Sequence, residues 1–182
     1  MYFCIVNDII VNIFVLEVWD DECSKCTFYT VRFDTEDINE TDRFFSAYET
    51  PHKFQEANQQ LLTFIINSIG NDHGALDQFF NRPENEVWGL PHQGKLKLEE
   101  ILWYPDFPLR LYALKITDEI VILFNGGIKD NTTNQKSSLH LKWREACEFA
   151  KRINYAIQDG TIIIDYHQRK LKNYDDSDEI IL

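Results

Sequence analysis

The chain has 182 residues, 44% of them hydrophobic, and a formal net charge of −12. This length is sufficient for a sizeable core, and we expect residues 1–182 to form a single domain. The acidic balance argues against non-specific nucleic-acid binding, and no apolar run is long and continuous enough to cross a bilayer.

The N-terminal segment MYFCIVNDIIVNIFVLEVW is the nearest match to a targeting signal. A secretory signal needs a basic start and an unbroken apolar stretch. Here the basic start is missing, and Asn7, Asp8 and Asn12 interrupt the apolar run. We therefore interpret the segment as a strand, and we expect a cytoplasmic protein with no membrane partner.

The patterns that follow predict a β-hairpin and a short helix. Residues 9–19 and 26–34 are predicted strands on either side of the turn DDECSK, because apolar and polar residues alternate along the second strand. Residues 39–49, NETDRFFSAYE, are a predicted helix that Asn39 or Thr41 is able to cap.

A second helix is predicted to begin at Thr50-Pro51, with threonine as the N-cap and proline in the first turn. Its apolar residues recur at spacings of three and four, and Gly70 is predicted to end it. A further short helix is predicted after Ala75, followed by a short strand at residues 87–88.

The C-terminal half begins with a second predicted hairpin, in which Asp118-Glu119 forms the turn. Mixed strands and helices with an antiparallel hairpin favour an α+β fold with a small antiparallel sheet packed against helices. The predicted elements are strands at 109–117, 120–125 and 161–168, a helix from the cap Ser138 to Gly160, and an acidic tail at 173–182.

Gly126 and Gly127 follow the second hairpin strand, and Lys129 follows them. A nucleotide-binding P-loop requires separated glycines and a Ser or Thr directly after the lysine, and neither feature is present. The pair is better explained as a bulge or bend where the strand leaves the sheet. No cofactor is expected.

Cys23 and Cys26 form an isolated CxxC. A structural zinc site normally needs a second pair of ligands at a similar spacing, and none follows. The favoured interpretation is a turn with two reduced thiols, and a redox or metal role is the alternative.

Basic residues are concentrated in the second half, where residues 109–172 contain 11 Lys and Arg against 7 Asp and Glu. We predict that a subset converges on one surface, where phosphates would be bound; solvated charges are the alternative. The candidates are Arg110, Lys115, Lys129, Lys136, Lys142 and Arg144, with His140 close by in sequence. The acids Glu84, Glu86, Glu99 and Glu100 are expected to be surface residues.

The run PLRLYALKITDEIVILFNGGIKDNTTNQK, together with the upstream segment FNRPENEVWGL, resembles RelE/HigB-type toxins of bacterial toxin–antitoxin systems. The resemblance covers about residues 44–160. It implies a RelE/ParE-like core, to which residues 9–34 add an N-terminal hairpin and the last predicted strand adds a C-terminal extension.

The resemblance implies a metal-independent endoribonuclease that cleaves mRNA, usually on the ribosome, and that is bound by a helix-turn-helix antitoxin. Arg110, Lys129 and Lys136 match the positions that hold phosphate, and His140 or Tyr166 would assist proton transfer. ParE-type relatives keep the fold but lack ribonuclease chemistry. The alternative is therefore a protein-binding module that inhibits a host protein or recognises a partner through the acidic N-terminal half.

Overall fold

A computed structural model describes residues 12–94, 107–129, 138–177 and 179–182. It has an α+β fold, which confirms the predicted fold class at that level. The strands are β1 Phe14–Asp20, β2 Thr27–Phe33, β3 Pro83–Glu84, β4 Val87–Leu90, β5 Leu109–Thr117, β6 Ile120–Ile128, β7 Ile162–Asp165, β8 Lys170–Asn173 and β9 Ile180–Ile181; the helices are α1 Glu40–Ala47, α2 Gln55–Thr63 and α3 Ser138–Gln158.

Seven strands form one sheet in the order β3-β4-β5-β6-β2-β1-β9, and β7 and β8 form a separate hairpin. The predicted antiparallel pairing holds within both hairpins, β1–β2 and β5–β6. At the centre of the sheet the hairpins meet through a parallel pair, β2 and β6, from Thr27 opposite Ile120 to Thr30 opposite Leu123. The sheet is thus mostly antiparallel with a parallel pair in the middle.

The glycines at the end of β6 lie inside the strand, beside an irregularity in its pairing with β5. The register shifts between Leu111 and Ala113, and β6 then continues to Ile128. A Cβ atom on Gly126 would lie 1.8 Å from the carbonyl oxygen of Arg110, so only glycine fits there. The sequence-based interpretation as a bulge is consistent with this close backbone approach.

Helix α1 is capped as the first of the two alternatives predicts. The Asn39 side-chain oxygen accepts a hydrogen bond from the Asp42 N–H at 2.8 Å. Thr41 instead lies in the first turn, where its hydroxyl group is 3.0 Å from the carbonyl oxygen of Leu123 in β6. This contact fixes α1 beside the point where β2 and β6 separate.

The predicted bounds of the second helix are wrong at both ends. The helix begins at Gln55, because His52 orders the preceding turn by accepting from the Phe54 N–H at 3.1 Å. At its other end, α2 continues through Gly70 with a wider, π-helical winding over Phe64–His73 and stops at Gly74, where φ is +81°.

The other differences are local. Residues 75–80 form turns, with the Phe79 N–H bonded to Leu76 at 2.9 Å, rather than the predicted helix. Helix α3 ends before Gly160, which has φ of +84° as predicted for a glycine that follows a helix. Its first residue in the structure is Ser138, so a cap before it lies outside the described residues.

The C-terminal region contains more strand than the predicted single strand. β7 stops at Asp165, because its carboxylate accepts from the His167 and Gln168 N–H groups and turns the chain into β8. Within the predicted acidic tail, Ile180 is buried and pairs with Leu16 of β1.

The core has one apolar cluster on each face of the sheet. One face packs against α1 and α2, with Phe44, Leu61 and Phe64 among its buried residues. The other face packs against α3 through Phe149 and Ile153. Alternate residues of β6 belong to the two clusters, as expected for a strand covered on both faces.

Candidate functional site

Arg110 lies near the start of β5, directly opposite Gly127 of β6. The missing side chain of Gly127 would point at Leu139 of α3, which places this pair on the face covered by α3. The Arg110 residue is only 8% exposed, and its Nη1 atom donates to the Glu84 carboxylate. Arg110 is therefore a buried cation that is paired with a carboxylate, and not a solvent-exposed arginine.

Gly89 of β4 makes room for this ion pair. A Cβ atom on Gly89 would lie 2.7 Å from Glu84 Oε1 and 2.8 Å from the Cδ atoms of both Arg110 and Arg82. Burial and the neighbouring Arg110 lower the pKa of the Arg82 guanidinium below its ordinary value. The side chains of Arg82 and Arg110 thus both lie close to the Glu84 carboxylate on the α3 face of the sheet.

Glu84 of β3 also contacts α3, through its backbone oxygen. The Trp143 Nε1–H donates to the backbone oxygen of Glu84 at 3.1 Å. The rings of Trp143 and His140 lie 5.0 Å apart. A chain of contacts therefore connects Arg110 with Glu84, Trp143 and the half-buried His140 near the start of α3.

Lys129 lies at the same end of the hairpin. Its backbone N–H donates to the Pro108 oxygen at 2.7 Å, just before β5 begins. Lys129 directly follows Ile128, the last residue of β6, so its backbone lies at the Arg110 end of the hairpin. Lys136 lies outside the described residues.

Lys115 lies at the opposite end of β5, about 16 Å along the strand from Arg110 at the rise typical of a strand. Its ammonium group is 2.6 Å from Asp77 and 2.7 Å from Asp118. Two carboxylates therefore neutralise Lys115, and the structure does not bring it together with Arg110.

The Lys142 side chain extends from α3 past the end of β6 and reaches Glu40 of α1. Its Nζ atom lies 3.4 Å from Glu40 and 3.3 Å from Glu145. Glu40 is 2% exposed and also accepts a hydrogen bond from the Asn125 side chain; its other oxygen forms an ion pair with Arg43 Nε at 3.3 Å. A polar cluster thus lies between α1, β6 and α3.

The remaining two candidates lie elsewhere. Arg144 is exposed on α3, where it borders a cavity of about 800 Å³ together with Glu86, Glu148 and Lys151. Tyr166 is 68% exposed in the turn between β7 and β8. Arg110 and Lys129 lie at the same end of the β5–β6 hairpin, and Glu84 and Trp143 link Arg110 to His140. Lys115, Lys142 and Arg144 have separate surroundings.

Cys23 and Cys26 are both buried and unbonded to each other. Burial raises the pKa of each thiol to about 12, with Asp20 adding to the effect on Cys23 and the Cys23 charge adding to that on Cys26. These are inert thiols at neutral pH. Among the described residues, no group of His, Cys, Asp and Glu side chains is arranged to hold a metal ion.

Comparison with known proteins finds no matching family model, no matching curated protein and no matching solved structure. Within the described parts of the chain, none of the helices has the length and apolar character needed to span a membrane.

Sequence reasoning missed the carboxylates that bind the basic candidates. Glu84 was expected to be a surface residue, but its side chain is 25% exposed and paired with Arg110. In the sequence, nothing separates Glu40 from an ordinary acid in the first turn of a helix. Gly89 is the one signal for Glu84, because an added Cβ there would lie 2.7 Å from its carboxylate.

Proposed function

We propose that this chain is a RelE/HigB-type toxin of a toxin–antitoxin or phage-defence system, acting as a metal-independent endoribonuclease on mRNA. The observation that supports the proposal is the chain of contacts from Arg110 through Glu84 and Trp143 to His140, at the end of the β5–β6 hairpin where the chain leaves β6 at Lys129. The resemblance also assigns Lys136 to the reaction, with Tyr166 as the alternative to His140.

The proposed reaction needs a base, an acid and positive charge around one phosphodiester. The ribose 2′-OH loses its proton and attacks the adjacent phosphorus, the bond to the 5′-oxygen breaks, and that oxygen takes up a proton. A 2′,3′-cyclic phosphate is left on one fragment. In this scheme His140 moves a proton, and Lys129 and Lys136 offset the charge of the transition state.

Arg110 has a more restricted role in the proposal. Its guanidinium group binds Glu84 and its side chain is 10% exposed, so phosphate contact would require the phosphate to replace that carboxylate. Otherwise Arg110 acts as a positioning residue, because Glu84 also receives the Trp143 N–H and Trp143 packs against His140. The mRNA would be presented on the ribosome, and a helix-turn-helix antitoxin would cover the site.

A second candidate function is a protein-binding module without catalysis. It is favoured by the way in which carboxylates engage Arg110, Lys115 and Lys142, together with the net charge of −12. In this reading, the acidic N-terminal half, including Asp20, Asp21 and Glu22, would contact a basic partner.

Induced expression in a bacterial host distinguishes the two functions. Wild type, Lys129→Ala/His140→Ala and Lys25→Ala would be compared for growth and, by primer extension, for new mRNA 5′ ends. Lys25 is an exposed lysine before β2, at the other end of the sheet, so it controls for loss of one positive charge. Arg110→Ala/Lys129→Ala extends the series to the buried ion pair.

The ribonuclease proposal expects growth arrest with new mRNA ends from wild type and Lys25→Ala, and loss of both effects in the two double variants. Growth without cleavage, or arrest with intact mRNA, would contradict it. Arrest with intact mRNA that disappears when Asp20, Asp21 and Glu22 are replaced by lysine would support the protein-binding module instead.

A further inference from the structure

The parallel pair at the centre of the sheet creates a crevice. β2 and β6 run side by side only as far as Thr30 and Leu123 and then separate. The chain leaving β2 enters α1 on one face, whereas the chain leaving β6 leads to α3 on the other face. In open sheets, such a change of face beyond the carboxyl ends of adjacent parallel strands is the usual place for a ligand.

A cavity of about 240 Å³ lies beside the end of β6, between the helices α1 and α3 that follow the two strands, and we call it the β2–β6 crevice. Arg43 of α1, residues 125–127 of β6, and Ser138 and Lys142 of α3 are among the residues that line it. Gly126 and Gly127 contribute no side chains, so the backbone of β6 forms part of the wall. The volume accommodates a phosphate group with part of an attached sugar.

The two cations at the crevice have donor capacity to spare. Lys142 has three N–H donors, and its contacts with Glu40 and Glu145 are 3.4 and 3.3 Å. Charge-assisted hydrogen bonds are usually about 2.7–2.9 Å, so both contacts are long. Arg43 is held by Glu40 and Glu36 through Nε and one terminal nitrogen, and its side chain is 42% exposed.

Two carboxylates, those of Glu40 and Glu145, hold these cations in position. Glu40 is 2% exposed and bound by Asn125, Arg43 and Lys142, so its charge is already compensated inside the wall. Burial raises the pKa of the Glu145 carboxyl group, and the neighbouring Glu40 adds to that effect while Lys142 opposes it. Neither Glu40 nor Glu145 is among the residues that line the crevice.

The start of α3 adds to the positive potential. This helix has 21 residues, begins at Ser138 on the crevice wall and carries no acidic residue in its first turn. The first N–H groups of a helix attract anions, which here would reinforce the attraction of Lys142 and Arg43.

We propose that the β2–β6 crevice binds the phosphate group of a nucleotide, with Arg43, Lys142 and the first turn of α3 as its donors. This site lies between α1, β6 and α3. It uses backbone N–H groups of the first turn of α3 and none of the side chains assigned above to RNA cleavage. The crevice can therefore bind nucleotide whether or not the chain is a ribonuclease.

The test is an NMR titration of the ¹⁵N-labelled full chain with adenosine 5′-monophosphate, inorganic phosphate and adenosine in separate arms. We expect the monophosphate and phosphate, but not adenosine, to shift the Gly126 and Gly127 amide signals. Tighter binding of the monophosphate than of phosphate would identify a nucleotide as the ligand, and equal binding would identify free phosphate at the same site.

Ser138→Glu is the decisive variant. A carboxylate in the first turn of α3 favours the helix, so the fold is retained, but it repels phosphate from the crevice. We expect about a tenfold or greater loss of monophosphate binding, matched by a loss in Lys142→Met. Lys25→Ala and Lys129→Ala/His140→Ala should bind as wild type does.

Three results would overturn the proposal: no amide shifts with millimolar monophosphate, equal shifts with adenosine, or unchanged binding by Ser138→Glu. The variant set also separates this site from the proposed ribonuclease. Loss of mRNA cleavage in Lys129→Ala/His140→Ala with intact monophosphate binding would support both proposals, and an inactive wild type that binds monophosphate would leave this site standing alone.

Discussion

Strand β5 carries two cations, Arg110 and Lys115, whose surroundings differ. Arg110 is buried beneath α3, and its partner Glu84 is largely enclosed. Lys115 binds Asp77 and Asp118, whose side chains are 99% and 66% exposed. The basic character of residues 109–172 therefore says little about function until the partner of each cation is known. Arg110 and its enclosed partner are part of the framework, whereas the carboxylates that bind Lys115 remain hydrated.

The largest expected effect lies at the Arg110 end of the hairpin, in the backbone itself. Gly126→Ala would place a Cβ atom 1.8 Å from the Arg110 oxygen, so β5 and β6 must separate. We expect a loss of roughly 3 kcal/mol or more in the free energy of unfolding, measured with urea.

Gly127→Ala is the matched control for this variant. Its Cβ atom would meet Leu139 at 3.6 Å, an ordinary van der Waals distance. A similar loss of stability in both variants would show that it comes from replacing a glycine in β6, and not from the short distance between the new Cβ atom and the Arg110 oxygen.

The next largest effect concerns the enclosed ion pair. Arg110→Met leaves the Glu84 charge without its main partner, and we expect a loss of about 2 kcal/mol, less than for fully buried pairs because the Glu84 side chain is 25% exposed. Urea unfolding would measure the change. Adding Glu84→Gln should restore part of the lost stability, since the unpaired charge is then removed.

Lys115→Met provides the other half of the comparison, because it removes a cation whose partners stay hydrated. Its loss of stability should be clearly smaller than that of Arg110→Met. An equal or larger loss at Lys115 would contradict the distinction between the two ends of β5.

His92 is a third basic group, and unlike Arg110 and Lys115 it is buried with no hydrogen-bond partner among the described residues. His92 is 2% exposed and packs 5.3 Å from the Phe64 ring, and neither ring nitrogen has a hydrogen bond there. Burial, with a smaller effect from Arg82, lowers the pKa of His92 to about 4. Arg110 is thus buried beside a carboxylate, whereas His92 is buried without one and is neutral at pH 7.

This lowered pKa makes stability depend on pH. The unfolded imidazole binds a proton near pH 6.5, so the contribution of neutral His92 is complete above that pH and is lost as the pH falls toward 4. Between pH 7.5 and pH 5, wild type should lose roughly 1–2 kcal/mol more than His92→Leu in urea unfolding. Identical pH dependence in both proteins would show that His92 is not titrating in this way.

Much of the local structure could be predicted because its determinants are close in sequence. Asn39 caps α1 through a residue three positions away, Gly160 follows α3, and the β5–β6 hairpin turns at Asp118-Glu119. In each case a short pattern carries the information, because the contacts that decide the structure lie within a few residues.

The errors arose where a residue serves a distant contact. Gly70 was predicted to end a helix, but it lies inside one, where a Cβ atom would be 2.6 Å from the Cys23 sulfur. Its missing side chain is required for packing against the β1–β2 turn and not for chain termination. A glycine looks the same in sequence whichever role it has.

The candidate site was predictable only in part for the same reason. Arg110 and Lys129 lie at one end of the hairpin because β5 and β6 are neighbours in sequence. The partners Glu84 and Glu40 come from distant segments, and the parallel pairing of β2 with β6 joins two regions that no local pattern connects.

The position of β9 has a consequence for the order in which the protein folds. β1 has β2 as one neighbour, but its other neighbour is supplied by Ile180 and Ile181, with nearly the whole chain in between. A contact between residues so far apart in sequence forms late, because closing the long loop between them costs conformational entropy. Until then β1 presents an uncovered edge, which makes a nascent or C-terminally shortened chain the form most prone to pairing with another copy.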